Sequence, residues 1–246
     1  MNDRAQLSVV VALAITTGCQ KERWDDCFTP VGSITMDERQ VAGFTSIDIG
    51  DKINLVITPD QEDRLVLEAG DRLLEQIRTE VVGNTLMIRN ENTCNWVRRL
   101  DVPITVHVWC AALDEITYRG TGDISSTDTI TGPLFRFYSE NGAGRVDLLL
   151  NVAGCYIGLF NGSTDVTVSG SCIEAWFYTF GFGRLGAAGF RTQKCHPHSN
   201  SSGMLTCHAS DQLYATIDNI GDIYYAGNPS EVHSTIVGTG QLIGID

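Results

Sequence analysis

The chain has 246 residues, enough for one elongated domain or two compact ones, and its 43% hydrophobic content excludes a disordered protein. Its formal net charge is -13, from 17 Lys and Arg against 30 Asp and Glu, which excludes a nucleic-acid partner because phosphate binding needs a basic face. Charged residues make up only 19%, so the acidity is dispersed and keeps the protein soluble by self-repulsion.

At the N-terminus, Leu7 to Ile15 is an apolar run too short to span a bilayer and suited to the core of a signal peptide. It leads into Thr16-Thr17-Gly18-Cys19, which resembles a bacterial lipobox, where a small residue precedes the cysteine that is lipidated and becomes the new N-terminus. The reading is a signal peptide over residues 1–18, lipidation at Cys19 and a lipid-anchored tether over 19–38, with Gln20 to Asp26 polar and acidic. It places the protein in the cell envelope as an outer-membrane lipoprotein, periplasmic or surface-exposed, touching the membrane through its lipid anchor only.

Export brings the cysteines into an oxidising compartment. Cys27 precedes the first strand and Cys94 sits in the loop-like Asn92-Thr93-Cys94-Asn95 stretch. They are the expected disulfide, pinning the N-terminal arm. Of the 8 cysteines, setting Cys19 aside leaves an odd number, so at least one thiol is unpaired. Cys155, Cys172, Cys195 and Cys207 fall in the repeats described below, where a small apolar thiol packs; their pairing, and that of Cys110, is left open.

From 39 to 118 the chain is β-rich without a clean repeat. Phe44 to Ile49 and Lys52 to Ile57 alternate apolar and polar side chains, as half-buried strands do, and Arg64 to Ala69 follows. Asp71 to Ile77 is predicted as one short helix, started by Gly70-Asp71. Arg78 to Val82 and Thr85 to Asn90 pair around Gly83-Asn84, a two-residue hairpin turn, and Pro103 to Trp109 is another alternating strand. No linker rich in Pro, Gly or Ser separates this half from 119–246, so the two form one continuous body.

Residues 119–246 carry a repeat. Short segments end on an aliphatic residue at Ile124, Val146, Val166, Leu185, Leu205, Ile223 and Leu242. Two positions earlier stand Gly122, Gly144, Gly183, Gly203, Gly221 and Gly240, with Thr164 as the exception. A period of about 20 residues with short strands around small-residue turns marks a β-solenoid, whose coils cannot bury their apolar side alone and stack into one core.

Gln40 to Ile49, Leu86 to Ile88, Arg119 to Ile124 and Gly221 to Pro229 resemble the head GIN domain family of auto-transporter adhesins, over about Asp37 to Asp246. The resemblance implies an all-β right-handed parallel β-helix on secreted or lipid-anchored envelope proteins, and it supplies no catalytic residue. This chain departs from the family at Thr164 and in the coil Lys194-Cys195-His196-Pro197-His198.

Gly181 to Gly186 spells GxGxxG, but a dinucleotide site needs that motif between a strand and a helix, and Ala187 to Arg191 is not helical in pattern. Cys195, His196, His198, Cys207 and His208 are the types zinc prefers, yet strand alternation splits them between core and surface. Asp123, Asp165 and Asp222 share a repeat position, but Arg145, Arg184, Met204 and Gln241 interrupt the column, so they read as solvated turn residues. Of Trp176, Phe177, Tyr178, Phe180, Phe182 and Phe190 in the middle coils, and of Tyr224 and Tyr225 near the end, most are expected in the core and a few on a contact surface. No cofactor, no metal and no catalytic residue follows. The expected function is a non-catalytic adhesin or scaffold that binds a protein or glycan at the cell surface through the solenoid wall; the alternative is a carbohydrate-binding or carbohydrate-active β-helix.

Overall fold

Apolar and polar side chains alternate through most of the chain, and a period of two makes strands. The computed structural model describes residues 32–92 and 102–245. Cys19, Cys27 and Cys94, and with them the expected anchor and disulfide, lie outside these residues. The first half holds β1 (Ile34–Arg39), β2 (Ser46–Asp51), β3 (Asn54–Pro59), β4 (Arg64–Gly70), α1 (Asp71–Leu74), β5 (Ile77–Val82), β6 (Thr85–Asn90), β7 (Thr105–Cys110) and β8 (Glu115–Gly120). Then come β9 (Ile124–Ser126), β10 (Ile130–Glu140), β11 (Arg145–Phe160), β12 (Asp165–Gly181), β13 (Arg184–Gly186) and β14 (Phe190–Ser201). The chain closes with β15 (Leu205–His208), β16 (Gln212–Ile217), β17 (Ile223–Ala226), β18 (Glu231–Ile236) and β19 (Leu242–Gly244).

All strands belong to one sheet, wound into a β-solenoid of about six turns. The first wall stacks β7, β3, β9, the start of β11, the start of β12, β13, β15, β17 and β19 in parallel. The second stacks β6, β2, β8, the ends of β10, β11, β12 and β14, then β16 and β18. Between them Ile130, Leu150, Gly170 and Phe190 align in a third, narrow wall. The long strands bend where Pro133, Ala153, Ile173 and Gln193 drop out of the pairing.

The aliphatic column forms as the spacing predicts. Ile124, Val146, Val166, Leu185, Leu205, Ile223 and Leu242 are successive register partners. All are buried except Leu242, which is partly buried against the core. Leu55 pairs with Ile124 and Ile47 with Ile116, so the stack continues into the half that shows no clean repeat. The repeat is masked there because β4, α1, β5 and β6 are inserted between β3 and β7. Of these, β4 and β5 run antiparallel to their partners, β1 on β4, β4 on β7 and β5 on β6, while β6 stacks in parallel on β2.

Turn chemistry follows the coil spacing. A Cβ on Gly122 would collide with the Ile53 carbonyl, and one on Gly144 with the carbonyl of Gly122, so glycine here serves close backbone approach as well as turning. Thr164 takes the same corner by turning inward. It is buried, and its hydroxyl lies 2.6 Å from that of Ser139. The β5–β6 hairpin turns on Gly83 at φ 64. The predicted helix is shorter than expected: α1 ends at Leu74, and Ile77 already pairs with Asn90 in the hairpin. The GxGxxG segment crosses a solenoid corner between β12 and β14, with the three-residue strand β13 and no helix after it.

A candidate recognition wall

Outward positions on the second wall place like residues one above another, because parallel strands repeat the same face every about 4.7–4.9 Å. One column runs Tyr156, Trp176 and His196 by register, and Tyr214 with His233 continues it. The rings of Trp176 and His196 stack at 5.3 Å and 7°, His196 and Tyr214 at 5.0 Å and 8°, and Tyr214 and His233 at 5.0 Å and 6°. A second column runs Tyr138, Gly158, Tyr178 and His198. Gly158 has no side chain to place in it, and Phe160 folds over that gap. Tyr138 and Phe160 are 6.3 Å apart, Phe160 and Tyr178 5.4 Å, and Tyr178 meets His198 edge-on at 5.0 Å. The columns meet at their lower end, where Tyr138 and Tyr156 are 5.6 Å apart.

The imidazoles are held by carboxylates. His196 Nε2 lies 2.9 Å from Glu174 Oε1, one coil back, and His198 Nε2 lies 2.7 Å from Asp218 Oδ2, one coil ahead. A carboxylate only accepts, so Nε2 carries the proton and each ring keeps Nδ1 for other partners. Burial, together with the nearby Glu115 carboxylate, pushes the Tyr138 phenol above its ordinary value. Between the columns lies a groove of about 300 Å³, floored by Pro197 and walled by Trp176, His196 and Tyr214 on one side and Tyr178, His198 and Thr216 on the other. That volume is at the lower bound of small-molecule sites.

The aromatic expectation is therefore corrected. Of the middle-coil set only Phe177 and Phe190 lie in the core. Trp176, Phe180 and Phe182 are exposed and Tyr178 is half-buried. In the last coils Tyr224 and Tyr225 are partly buried. The excess outside arises because inward positions of these coils are filled by small residues such as Cys155, Ala175 and Cys195. His196 and His198, singled out as metal-like residues, are members of this aromatic wall, and their register with Trp176 and Tyr178 is the signal that could have shown it.

The Cys/His set does not converge. Cys195 and Cys207 are fully buried, His196 and His198 face out from the second wall, and His208 sits on β15 of the first. Each outward imidazole also pairs with a carboxylate in the opposite axial direction. Among the described residues no three of His, Cys, Asp or Glu gather to hold a metal ion. In the turn column Asp123 and Asp222 have structural partners: Asp123 Oδ1 accepts the Arg145 backbone N–H at 2.9 Å, and Asp222 Oδ1 that of Gln241 at 2.8 Å. They tie one coil to the next.

Fold and wall together define the class: a parallel β-solenoid displaying a long aromatic face. The chain belongs to the head GIN domain family. The family model described as "Putative auto-transporter adhesin, head GIN domain" matches residues 43–229. Among solved structures, the chain is similar to a "putative adhesin" from Bacteroides fragilis, with TM-score 0.81 and 23% identity over 87% of this chain and 97% of that one. A "Putative lipid binding protein" from Parabacteroides distasonis gives TM-score 0.70 and 19% identity, covering 87% and 98%. A "putative adhesin" from Parabacteroides merdae gives 0.63 and 17%, covering 88% and 98%. At these identities the likeness concerns the fold. No curated protein matches the chain.

Proposed function

We propose that the protein is a non-catalytic cell-envelope lipoprotein, anchored through Cys19, that acts as an adhesin or scaffold through the aromatic outer wall of its solenoid. The observation that carries this reading is the double column of outward rings, aligned by strand register from Tyr138 to His233. Outward-facing aromatic side chains, with an apolar body and a polar tip, are enriched at interaction sites. The family's description as adhesins supports the same role and an envelope location. Among the described residues no helix is long and apolar enough to cross a membrane, so anchoring rests on the diacylglyceryl group expected at Cys19; stable attachment takes more than a single acyl chain. A Cys27–Cys94 disulfide would fasten the tether to the solenoid, and non-reducing peptide mapping that finds both thiols free would remove it.

The test uses the mature chain on beads presented to intact bacterial and host cells. Trp176→Ala combined with Tyr214→Ala should lower attachment about fivefold or more, the effect of losing an interface hot spot. Ile173→Ser, at an exposed bend away from the ring columns, should leave it unchanged. Attachment indifferent to the ring substitutions would count against the wall. Cys19→Ser in the producing cell should move the protein to the soluble fraction.

A further inference from the structure

We infer that the groove between the two ring columns binds a neutral, linear, equatorially linked glycan lying along the solenoid axis; this rests on the wall being the binding surface. The first argument is periodicity. The rings of the first column recur at 5.0–5.3 Å, so a ligand meets equivalent contacts on every coil only if its own repeat has about that length. An extended peptide rises about 3.2–3.4 Å per residue and repeats a face every second residue, so its side chains fall out of step with the coils. A pyranose in an equatorially linked chain advances by roughly its own ring length, so one sugar falls opposite each coil even though successive rings turn over.

Polarity gives the second argument. Stacking hides the faces of His196 and Tyr214 against their neighbours, so the groove presents mainly ring edges. Among the described residues the hydroxyls of Tyr156, Tyr178, Tyr214 and Thr216 make no hydrogen bond, and the imidazoles of His196 and His198 use only Nε2. Such a wall of free hydroxyls and ring nitrogens satisfies sugar hydroxyls, which donate and accept alike, better than apolar side chains. The third argument is charge. The wall carries Glu174, Asp218 and Glu231, each beside a histidine, on a chain of net charge -13. Uronate polymers would be repelled, and a neutral chain would not.

The experiment is calorimetric titration of the mature protein with cellohexaose, chitohexaose, maltohexaose and an oligoguluronate of equal length. Either equatorial hexamer should bind about tenfold or more tighter than its own dimer, because each added unit meets another coil. Maltohexaose, which coils, and the oligoguluronate should bind about tenfold or more weaker. Trp176→Ala should lower the affinity by a similar factor. Should that variant lose its folded circular-dichroism spectrum, Tyr214→Phe keeps the ring stack, removes one hydroxyl and should still weaken binding. No binding of either equatorial hexamer, equal binding of maltohexaose, or affinity unaltered by both variants overturns the inference. If the ring variants abolish cell attachment while no hexamer binds, the glycan assignment falls and the wall reading stands.

Discussion

Tyr118 shows how single residues hold the coils at their closest approach. Its ring is fully buried, its hydroxyl donates to the Gly122 carbonyl at 2.7 Å and accepts the Gly144 N–H at 3.0 Å. One side chain thus serves two backbone groups on successive corners. Burial raises its phenol to about 12, so it stays a donor. Tyr118→Phe leaves a buried carbonyl and a buried N–H without partners and should cost about 1–3 kcal/mol, read from the denaturant midpoint. The buried thiols act through protonation. Burial, with Asp63 adding to it, lifts Cys110 to about 12; burial lifts Cys172 to about 11 and drives Cys155 and Cys195 well above the ordinary 9.0. A group that holds its proton more tightly in the fold than in the unfolded chain stabilises the fold below its unfolded pKa. That contribution is lost as pH rises toward the folded value. Stability should therefore decline from about pH 9 upward, measured as denaturation midpoints at pH 7, 9 and 10.5. At pH 8, iodoacetamide should label none of Cys110, Cys155, Cys172, Cys195 and Cys207 until denaturant is added. A midpoint constant across that range would remove the thiols and Tyr118 as the cause.

At the scale of strands and turns, glycine has two distinct jobs, and substitution separates them. Gly122 sits where the coil below comes within contact, whereas nothing lies within 4 Å of a Cβ added to Gly132. Gly122→Ala should destabilise by about 1–3 kcal/mol through forced backbone movement, and Gly132→Ala should be close to neutral; equal melting temperatures for the two would contradict the packing account. The strands, their column of aliphatics and most corners were legible in the sequence, because a side-chain period of two and a coil period near twenty are local signals. What was not legible has a physical reason in each case. The inserted β4–β6 segment interrupts the repeat before two periods are complete, so the stacking of Leu55 on Ile124 has no local trace. Apolar spacing carries the predicted helix to Ile77, but pairing of Ile77 with Asn90 across the hairpin ends it at Leu74. Most of the middle-coil aromatics are expected in the core and lie outside it, because the direction of a strand residue depends on which neighbour faces in. Once Cys155, Ala175 and Cys195 take the inward places, Tyr156, Trp176 and His196 must face out.

At the scale of the whole molecule, ion pairs join what the insertion separates. Asp48 of β2 meets both Arg89 of β6 and Arg119 of β8 at 2.8 Å, and Arg119 also reaches Glu140 of β10 at 2.7 Å. Burial works against the Arg119 guanidinium, but Asp48 and Glu140 outweigh it and hold its pKa above the ordinary value. These pairs are partly exposed, so they set register more than they add stability. The recognition wall lies on the same face just beyond them, carried by the longest strands of the stack.

Register equivalence has a consequence for how such a molecule can change in length. Val146 and Val166 occupy the same point of successive coils, so excising residues 147–166 joins two positions that are already superimposable by translation along the axis. The shortened chain should keep the circular-dichroism spectrum of a β protein and a single cooperative melt, with the stack lowered by one storey. Its ring columns would lose Tyr156 and Phe160 while Trp176 to His233 survive intact. Insertion of a duplicate coil at the same junction should do the converse. Reach, in this architecture, is a countable quantity that duplication and deletion can adjust one coil at a time, without redesigning a core.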